Sequence, residues 1–526
     1  MNIVFDRKTL KVISLFDGDI SESDNQDFLK SMFPHNFSNL NLWFVQGKIK
    51  HTPIGLSVKL DSDNLPHSLL FRGKSIYTST KADKDRILRQ NEKDKSKLLS
   101  KVLHRSLRSS LSQDVIKMWI ESPYTKPEIA SSLKNLNYFS EKIIPMCWWG
   151  NFLDAGGYGN MNRSFLFRLH NYHILAKADI IPTINQISAT GQYYVHKHAS
   201  LNYRRLNKCV KVCSFGPHAQ TRQNASVVFF TMMETETLHP SFRDMCNGYC
   251  DEIWVPSSHN KNLFISGGVK KPILVMPLGM DEVVYRNIES IKSKNLSDMP
   301  VCDILGKPAS RGINTFRFFT LLGWSYRKGT DILIKSFVKA FSAKDDVSLI
   351  IYSNHVGPDP VKRESSEYAK SIRNSDYPQI LFIPGVTPEK EMPSLYKMGH
   401  AFIHTSRGEG FSLAQIEASV CGLPVISCNN TGMSEYLRDD NSFLIKTNDV
   451  EMADGRITWI SPFYHGQMFP KLGENQIDQA VEHMKYVIGH YDRAVEKNKI
   501  LQNEIFQKYT WEKAAERVSY RIKQIA

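Results

Sequence analysis

The sequence predicts an α/β protein in which two Rossmann-like, doubly wound domains face a cleft, preceded by an N-terminal α+β accessory domain. Three observations carry this. A chain of 526 residues is too long for one ordinary core. From about residue 141 onward, strand-length apolar runs alternate with amphipathic helical stretches, in two separate series. A polar stretch, Ile288–Asn314, with Pro300 and Pro308, interrupts the rhythm between them and reads as a linker.

In chain order, residues 1–140 form the accessory domain. Short apolar runs, Leu10–Phe16 and Leu40–Gln46, lie between polar turns and predict short strands. Lys81–Leu111 carries ten Lys or Arg against four acids and an incomplete apolar stripe, which predicts a basic helix. The first Rossmann domain spans 141–300. It opens on the strand Lys142–Gly150 and a glycine-rich turn, "DAGGYG", that runs into an amphipathic helix. Further strands follow at Ala225–Met233, Asp251–Ser257 and Pro272–Gly279. The second spans 301–505, with strands at Phe316–Trp324, Val347–Asn354, Gln379–Val386, His400–Ser406 and Leu423–Asn429, and helices at Gly329–Ala343 and Ser412–Gly422. Ligands of such domains sit at the carboxyl ends of the parallel strands, facing the cleft.

Hydrophobic content of 41% is that of a folded chain. The first residues lack the apolar core of a secretory signal, and no run reaches the roughly 18 apolar residues of a membrane span, so a cytoplasmic location is expected. The eight cysteines include Cys209/Cys213 and Cys246/Cys250, but CxxxC spacing is wider than most structural zinc pairs, and reduced thiols are expected. Two acidic triplets, Asp17–Asp19 and Asp61–Asp63, lie outside the Rossmann regions and mark turns; His196 and His198 fit a surface or an acceptor contact better than a metal. No metal is expected. The net charge of +14 suggests a polyanionic partner, against the plainer reading of a lysine-rich solvated surface.

The stretch "HTSRGEGFSLAQIEASVCGLPVIS", His404–Ser427, holds the clearest chemistry. Ser412 and Gln415 have the spacing of a capping box, which predicts a helix start whose backbone N–H groups and dipole favour an anion. Gly408 and Gly410 would let the backbone approach a ligand closely. Glu409 on the loop and Glu417 one turn into the helix could each accept hydrogen bonds from hydroxyls. A ligand with phosphates in the middle and hydroxyls at both ends, such as a nucleotide-diphosphate sugar, has that shape. Two solvated surface glutamates are the competing reading.

"EGFSLAQIE" followed by "ASVCGLPVISCNNTG" resembles the E-x7-E signature of the retaining glycosyltransferase family four, of GT-B fold. "WSYRKGTDILIKSF", "IWVPSSHNKNLFISGGVKKPILVMPLGMD", "GGYGNMNRSFLFRL" and "YTWEKAAERV" resemble its other motifs in the family's order, over residues 141–526. The resemblance implies a donor substrate, a nucleotide-diphosphate sugar, and no required cofactor. Glu409 would contact the donor sugar, the backbone of Gly410, Phe411, Ser412 and Leu413 would hold sugar and phosphate, and Glu417 would bind the ribose. Lys328 would neutralise the diphosphate. Val386 falls where the backbone reads the base, and Asn430, Thr431 and Gly432 form a loop facing the cleft. Gly156, Gly157 and Gly159 would approach the donor from the first domain. Residues 506–526 would be a closing helix returning to that domain. The family's usual phosphate-binding arginine is replaced by Gly323, and Arg327 or Arg407 would supply the charge.

Between Ile180 and Met233 the sequence has no acid. It carries Lys197, Arg204, Arg205 and Lys208, with Tyr194 among the interleaved aromatics, which suits phosphate contacts and base stacking. A phage-type enzyme that glycosylates hydroxymethylated bases is the reading this favours, with duplex or single-stranded DNA as partner. Synthesis of lipid-linked or envelope polysaccharide at a membrane surface is the alternative. Glu234 and His239, after the strand ending at Met233, are the candidates for positioning the acceptor hydroxyl. A different class is a GT-B module that binds sugar or nucleic acid without catalysis; such a module should have lost Glu409, Glu417 or Lys328, and all three are present. Oligomeric state is open.

Overall fold

The structure, a computed structural model, describes residues 114–135, 143–181, 186–201, 209–214, 225–305, 314–353 and 357–526 in full, with Gln113 and six earlier strands as backbone. It divides into two compact units, Met1–Ser112 with Ile180–Thr183, and Gln113–Asp179 with Ile184–Ala526.

In the first unit, β1 (Asn2–Asp6), β2 (Val12–Phe16) and β3 (Leu42–Val45) form an antiparallel sheet ordered β2-β1-β3. A second antiparallel sheet, β4-β5-β6, joins Leu56–Leu60, Pro66–Phe71 and Lys74–Thr78. The basic stretch Lys81–Leu111 and both acidic triplets lie outside the described residues. The helices Gln113–Glu121 and Pro127–Lys134, expected within the accessory region 1–140, fall in the second unit. Trp119 anchors the first of them: its ring stacks on His170 at 4.9 Å and its indole N–H donates to His198 Nε2 at 3.3 Å.

The second unit contains both Rossmann-like sheets. The first is ordered β12-β11-β10-β9-β7-β8, from β7 (Ile144–Gly150), β8 (Ile174–Ile180), β9 (Cys209–Cys213), β10 (Ala225–Phe230), β11 (Glu252–Val255) and β12 (Ile273–Val275). Strands β7, β9, β10, β11 and β12 run parallel. The second sheet is ordered β13-β16-β15-β14-β17-β18-β19, from β13 (Cys302–Asp303), β14 (Phe316–Leu321), β15 (Val347–Ser353), β16 (Gln379–Pro384), β17 (Ala401–His404), β18 (Val425–Cys428) and β19 (Phe443–Ile445). All its pairs are parallel except the short β13. Every residue of β15, β17 and β18 is buried, because helices cover both faces of a parallel sheet and leave no solvated side to alternate with.

Two features tie the domains together. After β19 the chain makes an antiparallel ribbon, β20 (Val450–Met452) with β21 (Met468–Pro470). Ala453, Ile457, Tyr464 and Phe469 of this strap are buried in one apolar cluster with Val227, Phe229, Phe242 and Ile253 of the first domain. The terminal helix Trp511–Ile525 also packs on the first domain. Trp511 lies edge-on to Phe165, Tyr172 donates to Glu512 Oε1 at 2.6 Å, and Arg521 donates to Glu252 at 3.1 Å. Among the described residues no helix is long and apolar enough to cross a membrane.

Candidate active site

In the second sheet the chain lays down β14, β15 and β16 outward on one side, then places β17 on the other side of β14. The crevice beyond the carboxyl ends of β14 and β17 is therefore the topological switch point, where open α/β sheets bind ligands. The loop after β14 carries Arg327 and Lys328; the loop after β17 carries Arg407 through Ser412.

Glu409 is 6% exposed. Its Oε1 accepts from Lys328 Nζ at 2.6 Å and from His404 Nε2 at 3.0 Å, and Arg327 stands 3.8 Å from Oε2. Burial pushes its carboxyl up, but Lys328, the His404 hydrogen bond and Arg327 outweigh this and hold it well below the ordinary range. Burial lowers His404, which fits a neutral ring donating from Nε2, with Nδ1 left unbonded. The result is an ionised carboxylate at the mouth of the switch point, with two cations beside it.

Arg327 also donates to Gly408 O, which holds its guanidinium on the motif loop beside Glu409. Arg407 is held elsewhere. Its buried guanidinium makes a two-pronged pair with Asp331 at 2.8 and 2.9 Å, bonds Tyr326 O at 2.8 Å, and lies against the Tyr326 ring at 3.6 Å. It is a clamp between the two loops, out of reach of a ligand.

The helix Leu413–Val420 begins at the expected place, but without the expected capping box. Ser412 takes a positive φ of 67°, and its hydroxyl engages the Gln415 side chain instead of a backbone N–H. The first-turn amides thus lack a side-chain cap, which leaves the N-terminus suited to an anion. Gly410, Phe411 and Leu413 flank this point, with Phe411 buried. One turn on, Glu417 Oε2 accepts from Tyr396 at 2.8 Å, and burial raises its carboxyl to about 7. Val386 is exposed on the loop after β16, beside a small cavity lined by Leu321, Leu322, Tyr352, Thr387 and Ala155, the last from the first domain.

The glycines of "GEG" admit the first domain. A Cβ on Gly408 would lie 1.9 Å from Glu234 O, and one on Gly410 would lie 2.4 Å from Met232. The close approach is that of the first domain, by the Glu234 backbone at Gly408 and by the Met232 side chain at Gly410. Asn430, Thr431 and Gly432 act behind the loop. Thr431 Oγ1 accepts from Glu409 N at 2.9 Å, Asn430 donates to Ser406 O at 3.1 Å, and a Cβ on Gly432 would lie 2.0 Å from Gly410 O. They are buried supports for Glu409, not a surface facing the cleft.

From the first domain, Gly156 precedes the helix Gly157–Leu166 and donates to Asp154 Oδ1 at 2.6 Å. Gly159 is required because a Cβ would meet Asp154 O at 2.4 Å, whereas Gly157 has open space. Arg163 of that helix pairs with Glu389 of the second domain. Glu234 accepts from Tyr464 of the strap at 2.7 Å, bringing a second carboxylate close to Arg327. His239 is instead a helix cap, accepting from Ser241 N at 3.2 Å with its ring against Phe463.

On the acceptor side, Lys197 pairs with Asp114 at 3.1 Å on the surface, and Tyr194 packs edge-on to Phe167. His196 is exposed and His198 is buried, bonded to Ala176 O. Arg204, Arg205 and Lys208 lie outside the described residues. Sequence reasoning missed His404, Tyr396 and Tyr464. A histidine ending an apolar strand next to the motif was a usable signal for the first; the others depend on packing.

Two Rossmann-like domains closed over such a switch point define the GT-B architecture. Residues 317–462 match the family described as Glycosyl transferases group 1. A phosphatidylinositol N-acetylglucosaminyltransferase component from Arabidopsis thaliana is 29% identical over 128 residues, 24% of this chain and 27% of that protein. A probable sucrose-phosphate synthase from Thermosipho melanesiensis is 25% identical over 259 residues, 48% of this chain and 53% of that protein. The chain thus spans between about a quarter and a half of these relatives' length. Among solved structures, Anabaena Alr3699/HepE in complex with UDP-glucose superposes with a TM-score of 0.51 at 13% identity, over 72% of this chain and all of that one. A glycosyltransferase from Rickettsia africae gives a TM-score of 0.51 at 12% identity, over 73% and 99%.

Proposed function

We propose that the protein is a retaining glycosyltransferase that moves a sugar from a nucleotide-diphosphate sugar to an acceptor hydroxyl. One observation carries the reading: a buried, ionised Glu409 paired with Lys328, beside the uncapped start of a helix at the switch point. The amides at that start and the side chains of Lys328 and Arg327 would face the diphosphate. As the bond from the sugar's anomeric carbon to phosphate breaks, charge grows on the phosphate, and fixed positive groups stabilise it. The new bond forms to the acceptor oxygen, whose proton passes to the leaving phosphate oxygen. Glu409 would hold sugar hydroxyls, and Glu417, the ribose. Glu409 is not assigned as a base, because its charge is already engaged by Lys328 and His404.

For the acceptor, a lipid-linked or polysaccharide hydroxyl is favoured over a DNA base. The matched relatives include, besides the phosphatidylinositol N-acetylglucosaminyltransferase component, an O-antigen chain mannosyltransferase B of Escherichia coli, 34% identical over 73 residues.

The test is nucleotide release from common UDP- and GDP-sugars, with glycolipid and hydroxymethylated duplex acceptors in parallel. Release that depends on Lys328 and on a glycolipid supports the proposal. No release from any donor with any acceptor overturns it in favour of a binding module. Transfer to the duplex alone restores the DNA reading.

A further inference from the structure

The chain passes between the two Rossmann domains twice, once after β12 and once between the helices Tyr491–Lys508 and Trp511–Ile525. An open groove of about 640 Å³ lies at these crossings, within the size range of ligand sites (~300–1,000 Å³), and most of its lining side chains are exposed. Its walls come from Tyr285–Ser290 on the first crossing, from Gln502, Asn503 and Phe506 just before the second, and from Val420. It is separate from Glu409 and Lys328, which do not line it.

The lining has a definite chemistry. Arg286 and Glu289 supply one cation and one carboxylate, so the groove has no excess of charge to hold a phosphate or a polyanion. Asn287, Ser290, Gln502 and Asn503 add neutral donors and acceptors, and the Gln502 amide is fixed by donation to Val420 O at 3.2 Å. Phe506 presents an aromatic ring that is 46% exposed. Planar amides and balanced charges beside an exposed ring suit a neutral polyhydroxylated ligand: its C–H face lies on the ring and its hydroxyls bond the polar groups.

We propose that this hinge groove is a second binding site, and that it takes a neutral saccharide. The site does not depend on the transferase reading. Its position gives it leverage. Tyr285 lines the groove and is buried beside Glu417, so a saccharide here contacts both crossings and a neighbour of the proposed ribose site. A ligand that binds one domain arrangement better than another shifts the balance between them by that difference.

Maltose, sucrose and N-acetylglucosamine titrated into the full-length protein by saturation-transfer NMR test the site. At least one should bind, and Phe506→Ala should weaken it about tenfold, or ~1.4 kcal/mol. Asn503→Ala should weaken the same probe, while UDP binding stays as in the wild type for both variants. Both side chains are exposed, so the fold should survive; unchanged melting temperatures check this. Failure of all three probes to bind overturns the proposal. So does binding that ignores both variants but is lost in Glu409→Gln, which would put the saccharide in the main cleft. Glucose 6-phosphate binding more tightly than the neutral probes would overturn the assignment of ligand class.

Discussion

Replacing Gly408 by alanine should open the cleft without unfolding either domain. The added Cβ would fall 1.9 Å from Glu234 O, and ordinary contact begins near 3.4 Å, so about 1.5 Å must be gained. The loop cannot give this locally. Arg407 on one side is clamped to Asp331, and Glu409 on the other is held by Lys328, His404 and Thr431. The first domain has to move back, together with the strap packed in its apolar cluster. A misplacement of roughly 1 Å costs on the order of 100-fold in rate. The assay is kcat/KM for nucleotide release, with small-angle scattering for the spacing of the domains. Gly248→Ala is the matched control, since nothing lies within 4 Å of its Cβ. If Gly408→Ala turned over within twofold of wild type, domain apposition at this glycine would not be what positions the site.

Arg407→Ala should act on stability, since it strands buried Asp331: a loss of about 3–5 kcal/mol in denaturant melts, partly restored by adding Asp331→Asn. Lys328→Ala should lower kcat/KM by about 10²–10³, with Lys328→Ala/Glu409→Gln well short of additive because the two are bonded. Glu417 gives a pH signature. Burial raises its carboxyl from 4.5 to about 7, so the native state keeps a proton that the unfolded chain has already lost, and stability falls as pH rises through that window. Glu417→Gln should therefore gain more over wild type at pH 8 than at pH 5, by about 2 kcal/mol in thermal melts. A gain equal at both values would refute the buried-carboxylate account.

Many strands of both Rossmann domains could be read in the sequence because apolar period and turn chemistry are local, but β8, β9 and β19 were not among them. Glu409 stood out in its glycine-flanked loop, whereas Lys328 came only from the resemblance, and the structure bonds the two. What could not be read depends on distance in the chain. Arg407 and Arg327 look equivalent until Asp331, 76 positions before Arg407, is seen to take one of them. Gly408 and Gly410 look like ligand-facing glycines until Glu234 and Met232 arrive from the other domain. Ser412 matched a cap by spacing, but a positive φ turned its hydroxyl to Gln415. Lys197 looked free because Asp114 lies 83 residues earlier.

The strap has a consequence for how the protein is made. The first domain's sheet is fully synthesised once Val275 emerges, yet part of its apolar cluster arrives with Ala453–Phe469, and its outer helix only at Ile525. At roughly 5–20 residues per second, the ribosome leaves that cluster open to water for about ten seconds or more. This Rossmann domain is then finished from its far end, after the other is complete, and the early chain needs shelter that a self-sufficient domain would not.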